Sequence, residues 1–124
     1  MSKLLKIAFL YLYLLSFSSP LVAEEQRIES YRSAFYVGQT VMVCGVVANV
    51  FKGNRATYFN LDKPFPNQTL NIVIWDNNLD GFERRFGNLS KFNDKRVCAR
   101  GKITEYKNSL QMQVSNSQFL RLMH

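Results

Sequence analysis

Histidine is nearly absent from this chain of 124 residues: there is one, His124, and it is the last residue. Catalysis or metal binding by clustered imidazoles is therefore excluded. Cysteine is scarce as well. Cys44 and Cys98 are the only two, and neither has a second Cys or a His close by in sequence. That pattern offers no zinc site and no redox pair. No apolar run approaches the ~20 residues needed to cross a hydrocarbon core. The longest, Ile7 to Phe17, is eleven residues, interrupted by Ser16. Internal repeats and low-complexity tracts are missing. Acidic residues are few, nine against 16 Lys plus Arg, so the formal net charge is +7. What is plentiful is apolar surface, 47% of residues with 14% aromatic, which suits one packed domain and excludes a disordered tail.

Residues 1–23 have the order of a secretory signal peptide. Lys3 and Lys6 supply a positive start, Ile7–Phe17 the apolar middle, and Leu21-Val22-Ala23 a small residue before Glu24-Glu25. Cleavage is expected after Ala23, although Leu21 is larger than usual two residues before a cut. An uncleaved N-terminal anchor is the alternative. The rest, 24–124, carries 14 basic against nine acidic residues, a net charge of +5. Export, to a periplasm or the outside, places Cys44 and Cys98 in an oxidising compartment, where pairing is expected. A bridge closing a loop of that length would contribute roughly 4 kcal/mol on the chain-entropy model. Two buried free thiols are the alternative.

Residues 24–36 are polar and mixed, a lead-in or a short helix. From Val37 to Phe51 nearly every residue is apolar, which predicts a long strand covered on both faces, with Gly45 marking a bend or bulge. Lys52-Gly53-Asn54-Arg55 is a turn by composition. Thr57–Asp62 alternates, Phe59 and Leu61 on one face, Tyr58 and Asn60 on the other. Lys63–Asn67 holds two prolines and is a loop. Thr69–Trp75 is a third strand, with Leu70, Ile72 and Ile74 opposite Asn71, Val73 and Trp75. Asp76-Asn77-Asn78 offers capping side chains for a short helix with Leu79, Phe82 and Phe86 at helical spacing and Gly87 as its stop. Arg96–Ile103 and Leu110–Val114 are the fourth and fifth strands, separated by a turn at Tyr106-Lys107-Asn108. Ser115–His124 is read as a tail.

Three strands, a helix and two strands in about 100 residues fit an all-β class. The expected architecture is the five-stranded Greek-key OB-fold barrel, with one short helix between strands three and four, over 37–124. An unrelated five-stranded sandwich is the alternative. Particular runs support the first choice. Val43-Cys44-Gly45-Val46-Val47 resembles the first strand of small bacterial OB-fold nucleic-acid-binding domains. Tyr58–Gln68 resembles their second strand and following loop. Ile72–Trp75 and Arg96–Ile103 continue the likeness, which covers roughly 37–115. Tyr58-Phe59-Asn60-Leu61 is also similar to a strand of tRNA anticodon-binding OB domains, whose first aromatic lies outside and stacks on a base. No fused catalytic domain accompanies these motifs, so the resemblance implies a binding module and not an enzyme.

OB-folds bind on the outer face of strands two and three and on the loops that flank it. Here that surface would carry Tyr58, Asn60, Asn71 and Trp75, with Lys52 and Arg55 in the first loop. Tyr106 and Lys107 would stand in the second loop, and Gln111 and Gln113 on strand five. Aromatics among cations and amides suit single-stranded DNA or RNA, by stacking and by phosphate contacts. Trp75 could equally close the barrel end. Arg84, Arg85, Arg100 and Lys102 are expected to be merely solvated. The competing expectation is a protein- or envelope-interaction module, which would present an apolar rather than a basic face. A nuclease built on Asp62, Asp76, Asp80, Glu83 and Glu105 has no spacing to recommend it. The chain is expected to be a monomer without cofactor or metal.

Overall fold

The alternation of buried and exposed residues sets the architecture. A computed structural model describes residues 26–123, so the leader expected at 1–23 lies outside the described residues. The strands are β1 (Arg27–Glu29), β2 (Thr40–Lys52), β3 (Ala56–Leu61), β4 (Leu70–Trp75), β5 (Arg96–Tyr106), β6 (Ser109–Gln113) and β7 (Leu120–Met123). One α-helix, α1 (Asp76–Phe86), joins β4 to β5. Short 3-10 segments occupy Ser30–Tyr36, Leu89–Phe92 and Ser117–Phe119.

Five strands form a closed ring of pairings in the order β2-β3-β4-β6-β5, with β5 returning to β2. Closure requires β2 and β5 to serve two partners each. The first half of β2 pairs with β5 from Thr40↔Lys102 to Val46↔Arg96, and its second half pairs with β3. The register shifts between Val47 and Asn49, an irregularity of the kind that bends a strand around a small ring. Gly45, expected at the bend, has a different task. A Cβ there would land on the Ser30 hydroxyl, so its absence lets the 3-10 segment approach. On β5, Gly101 leaves space for Met112, whose Cγ would lie 2.6 Å from a Cβ at that position.

The core fills the ring. Phe59, Leu61, Leu70, Ile72, Ile74, Ile103 and Met112 are fully buried. Phe82 of α1 is buried too, while Leu79 and Phe86 pack against the same core, which places the helix across one end of the ring. The rings of Phe59 and Phe86 each lie 5.2 Å from that of Phe92. The predicted side-chain cap at Asp76–Asn78 is not formed. Trp75 is the N-cap residue and contributes no capping hydrogen bond, whereas Gly87 ends the helix at φ 78° as expected.

Two corrections concern strand number. Among the described residues there are seven strands where five were expected. β1 lies parallel to β2, in register Arg27↔Met42 to Glu29↔Cys44. Within the segment read as a tail, Leu120–Met123 forms β7 against β5, with Leu120 fully buried. A four-residue strand gives too little alternation to read in advance. Cys44 and Cys98 stand directly opposite each other on β2 and β5 and are bonded, with Cα atoms 4.0 Å apart and a sequence separation of 54. The bridge excludes the alternative of free thiols.

Candidate ligand-binding face

The outer surface of β2, β3, β4 and β6 is built in rows, because residues paired across strands project together. One row is made of amides: Asn49, Asn60, Asn71 and Gln111 stand side by side on four strands. The Asn60 amide nitrogen donates to Asn49 Oδ1 at 2.9 Å, and Asn60 is almost wholly buried. The Asn71 side-chain oxygen is buried and accepts no hydrogen bond among the described residues. The next row is Phe51, Tyr58, Val73 and Gln113. The Phe51 and Tyr58 rings lie 6.2 Å apart at 32°. Trp75 ends the outward set of β4 opposite Ala56 and is 38% exposed, which places it on the surface and not inside the ring.

The loop between β3 and β4 converts this face into a groove. Pro64 and Phe65 join Asn49, Phe51, Tyr58, Asn60 and Asn71 around a depression of about 490 Å³. Among the described residues no charged side chain lines it. Phe51 and Phe65 are 55% and 68% exposed, far above what a core aromatic shows.

The loop is anchored beneath by Asp62. Its Oδ2 accepts hydrogen bonds from the Ser30 hydroxyl and, at 2.8 Å, from Thr69 Oγ1. Asp62 is thereby committed to holding the 3-10 segment and both ends of the loop.

The predicted cations lie at the edges. Lys52 is the last residue of β2, and its ammonium is held by Asp76 Oδ1 at 2.7 Å, at the first turn of α1. This pair is exposed and contributes little to stability, but it neutralises the local charge. Arg55 lines a shallower depression with Trp75, Asp76 and Asn77. Lys107 and Asn108 make a two-residue turn with φ of 48° and 64°, and Lys107 Nζ sits 5.3 Å above the Tyr106 ring. The register Asn71↔Gln111 and Val73↔Gln113 puts this turn at the opposite end of the face from Arg55 and Trp75. The structure thus gathers Tyr58, Asn60, Asn71, Gln111 and Gln113 and leaves Lys52, Arg55, Trp75, Tyr106 and Lys107 as a rim. Sequence reasoning missed Asn49, Phe51 and Phe65. Phe51 and Asn49 lay in a run that looked buried on both faces. Phe65 lay in a proline loop whose path the sequence does not show.

Among the described residues no group of three or more His, Cys, Asp or Glu stands close enough to hold a metal ion, and no helix is long and apolar enough to cross a membrane.

No protein-family model matches the chain, and no curated protein matches it in sequence. Solved structures do. The OB domain of MM0293 from Methanosarcina mazei aligns with a TM-score of 0.56 at 14% identity, over 82% of this chain and 86% of that one. OBody AM3L15, determined bound to hen egg-white lysozyme, aligns with a TM-score of 0.59 at 14% identity, over 83% of this chain and 98% of that one. A putative aspartyl-tRNA synthetase from Leishmania major Friedlin aligns with a TM-score of 0.56 at 8% identity; 84% of this chain covers only 22% of the synthetase. At these identities the likeness defines the fold alone. The chain is an OB-fold domain, with one strand added on each side of its closed ring.

Proposed function

We propose that this protein is an exported, noncatalytic OB-fold module that binds single-stranded nucleic acid along the aromatic and amide rows. The observation that carries the reading is their juxtaposition. The rings of Phe51 and Tyr58 stand beside a ladder of amides whose third member, Asn71, has a buried side-chain oxygen with no hydrogen-bond partner among the described residues. Flat rings accept any base by stacking, at about 1–3 kcal/mol per base, and side-chain amides exchange hydrogen bonds with base edges. The uncharged groove suits bases turned inward, while Arg55 and Lys107 on the rim meet phosphates. Export is supported by the leader pattern of 1–23 and by the bridge, which oxidising compartments allow to form.

Fluorescence anisotropy with a labelled single-stranded oligonucleotide tests the reading. At low salt the intact protein is expected to bind in the micromolar range or tighter. The Phe51→Ala/Tyr58→Ala variant is expected to lose about 10- to 100-fold, as stacking of one or two bases implies. Equal binding by the variant, or none by the intact protein, would refute it.

One observation favours a second reading, a protein-interaction module. The groove has no charge, and two phenylalanines stand exposed beside it, as at the centre of many protein interfaces. On that reading the oligonucleotide is ignored, and a specific envelope protein is retained by the intact domain but not by Phe51→Ala/Phe65→Ala.

A further inference from the structure

Two buried side-chain oxygens have no hydrogen-bond partner among the described residues, Gln68 Oε1 and Asn71 Oδ1. Of the two, Asn71 belongs to the lining of the groove. The strand fixes its place. Leu70 and Ile72 on either side are fully buried in the core, so alternation sends Asn71 to the outer face. The neighbour best placed to serve it is Asn60, directly opposite on β3. The Asn60 amide nitrogen, however, donates the other way, to Asn49 on β2. Asn60 is 3% exposed, so packing holds it in that orientation. The ladder of amides therefore has a direction: its donor runs toward β2, and an acceptor is left over on β4. Asn71 itself is half-buried, with part of its side chain open to the groove. The terminal torsion of an asparagine is broad, so a small turn brings the oxygen to a donor entering from that side.

We propose that Asn71 reads the base seated on the Phe51 and Tyr58 rings and selects one that carries an exocyclic amino group, cytosine over uracil. The inference rests on the reading of the groove as a nucleic-acid site and adds a preference among bases to it. The aromatic row and the amide row stand two residues of strand apart, about 7 Å. A base lying flat on Tyr58 presents its hydrogen-bonding edge in its own plane, toward the amide row, and one hydrogen bond spans the remaining gap. Cytosine offers an amino donor at that edge, which supplies the bond that Asn71 Oδ1 lacks. Uracil has a carbonyl oxygen in the same position and sets a second acceptor against the first. A buried acceptor left unmet disfavours the wrong base more than a made bond rewards the right one. Uracil would be served only if the Asn71 amide turned over to present its nitrogen, and an aspartate at this position separates the two orientations because a carboxylate only accepts.

The test compares labelled oligo-dC and oligo-dU of equal length by fluorescence anisotropy, and its readout is the ratio of the two affinities. The intact protein is expected to favour oligo-dC by about 3- to 10-fold, the effect of one hydrogen bond. Asn71→Leu is expected to bring the ratio close to one. Asn71→Asp is expected to keep the preference for oligo-dC, since repulsion from the phosphates weakens both strands alike and cancels in the ratio. Gln68→Leu, which removes the other unpartnered oxygen, is expected to leave the ratio unchanged. Equal binding of both strands by the intact protein, with Phe51→Ala/Tyr58→Ala weakened toward both, overturns the selectivity and leaves the groove reading intact. A preference that survives in Asn71→Leu with normal melting, or disappears in Asn71→Asp, overturns the role of the Asn71 oxygen. Binding of neither strand removes the groove reading and the selectivity with it.

Discussion

Gly45 shows how much one missing Cβ can decide. The atom would occupy the place of the Ser30 hydroxyl, and that hydroxyl holds Asp62, which in turn holds the start of the β3–β4 loop. Gly45→Ala is expected to destabilise the domain by about 1–3 kcal/mol, the usual result of overpacking a tight site. Ser30→Gly in the same molecule should recover part of the loss, as denaturant melts would show. Full stability of Gly45→Ala alone would contradict this account. Asn71 makes the opposite case. Its buried carbonyl has no partner among the described residues, a condition that costs about 1–3 kcal/mol. Asn71→Leu is therefore expected to raise the melting temperature while weakening the ligand, a trade-off that a functional group under strain predicts. A variant less stable than the parent would mean that the carbonyl has a partner in the free protein.

At the scale of elements, β2 and β5 carry the architecture. Both are long, both change partner midway, and the Cys44–Cys98 bridge ties them where they face each other. With the cysteines separated by 54 in sequence, reduction or Cys44→Ser/Cys98→Ser is expected to cost roughly 4 kcal/mol on the chain-entropy model. Melts with and without dithiothreitol measure it, and coincident curves would contradict it. Most of this was legible beforehand. Alternation in Thr57–Asp62 and Thr69–Trp75 gave the correct faces, since Phe59, Leu61, Leu70, Ile72 and Ile74 are all fully buried. What escaped was short or decided by tertiary packing. β1 has three residues and β7 four, too few for a period. Phe51 turned out to be exposed because the irregularity near Ala48 re-sets the faces of β2, a two-for-one pairing that no local pattern announces. Lys52 was legible as a turn cation, but its pairing with Asp76 depends on where the helix begins.

Over the whole molecule, side-chain chemistry differs between two faces. The amide and aromatic rows form an uncharged groove, and the arginines gather on the other side of the ring. A basic composition alone would have put the charge where the ligand was expected. The separation instead predicts that affinity and salt dependence are controlled by different residues. Lys107→Asn, which removes a rim cation while keeping a residue that tolerates the left-handed turn at φ 48°, should lower the salt slope by about 0.7 without changing stability. Equal slopes would remove Lys107 from the ligand path.

The central claim is that the groove itself receives the bases. Side-chain amide groups are observable by NMR, so once those of Asn49, Asn60, Asn71 and Gln111 are assigned, titration with a short single-stranded oligonucleotide reads the face directly. The account predicts that these amide signals and the Tyr58 ring move together and saturate at one equivalent. Movement confined to the β5–β7 side, with the amide row unperturbed at saturation, would contradict it.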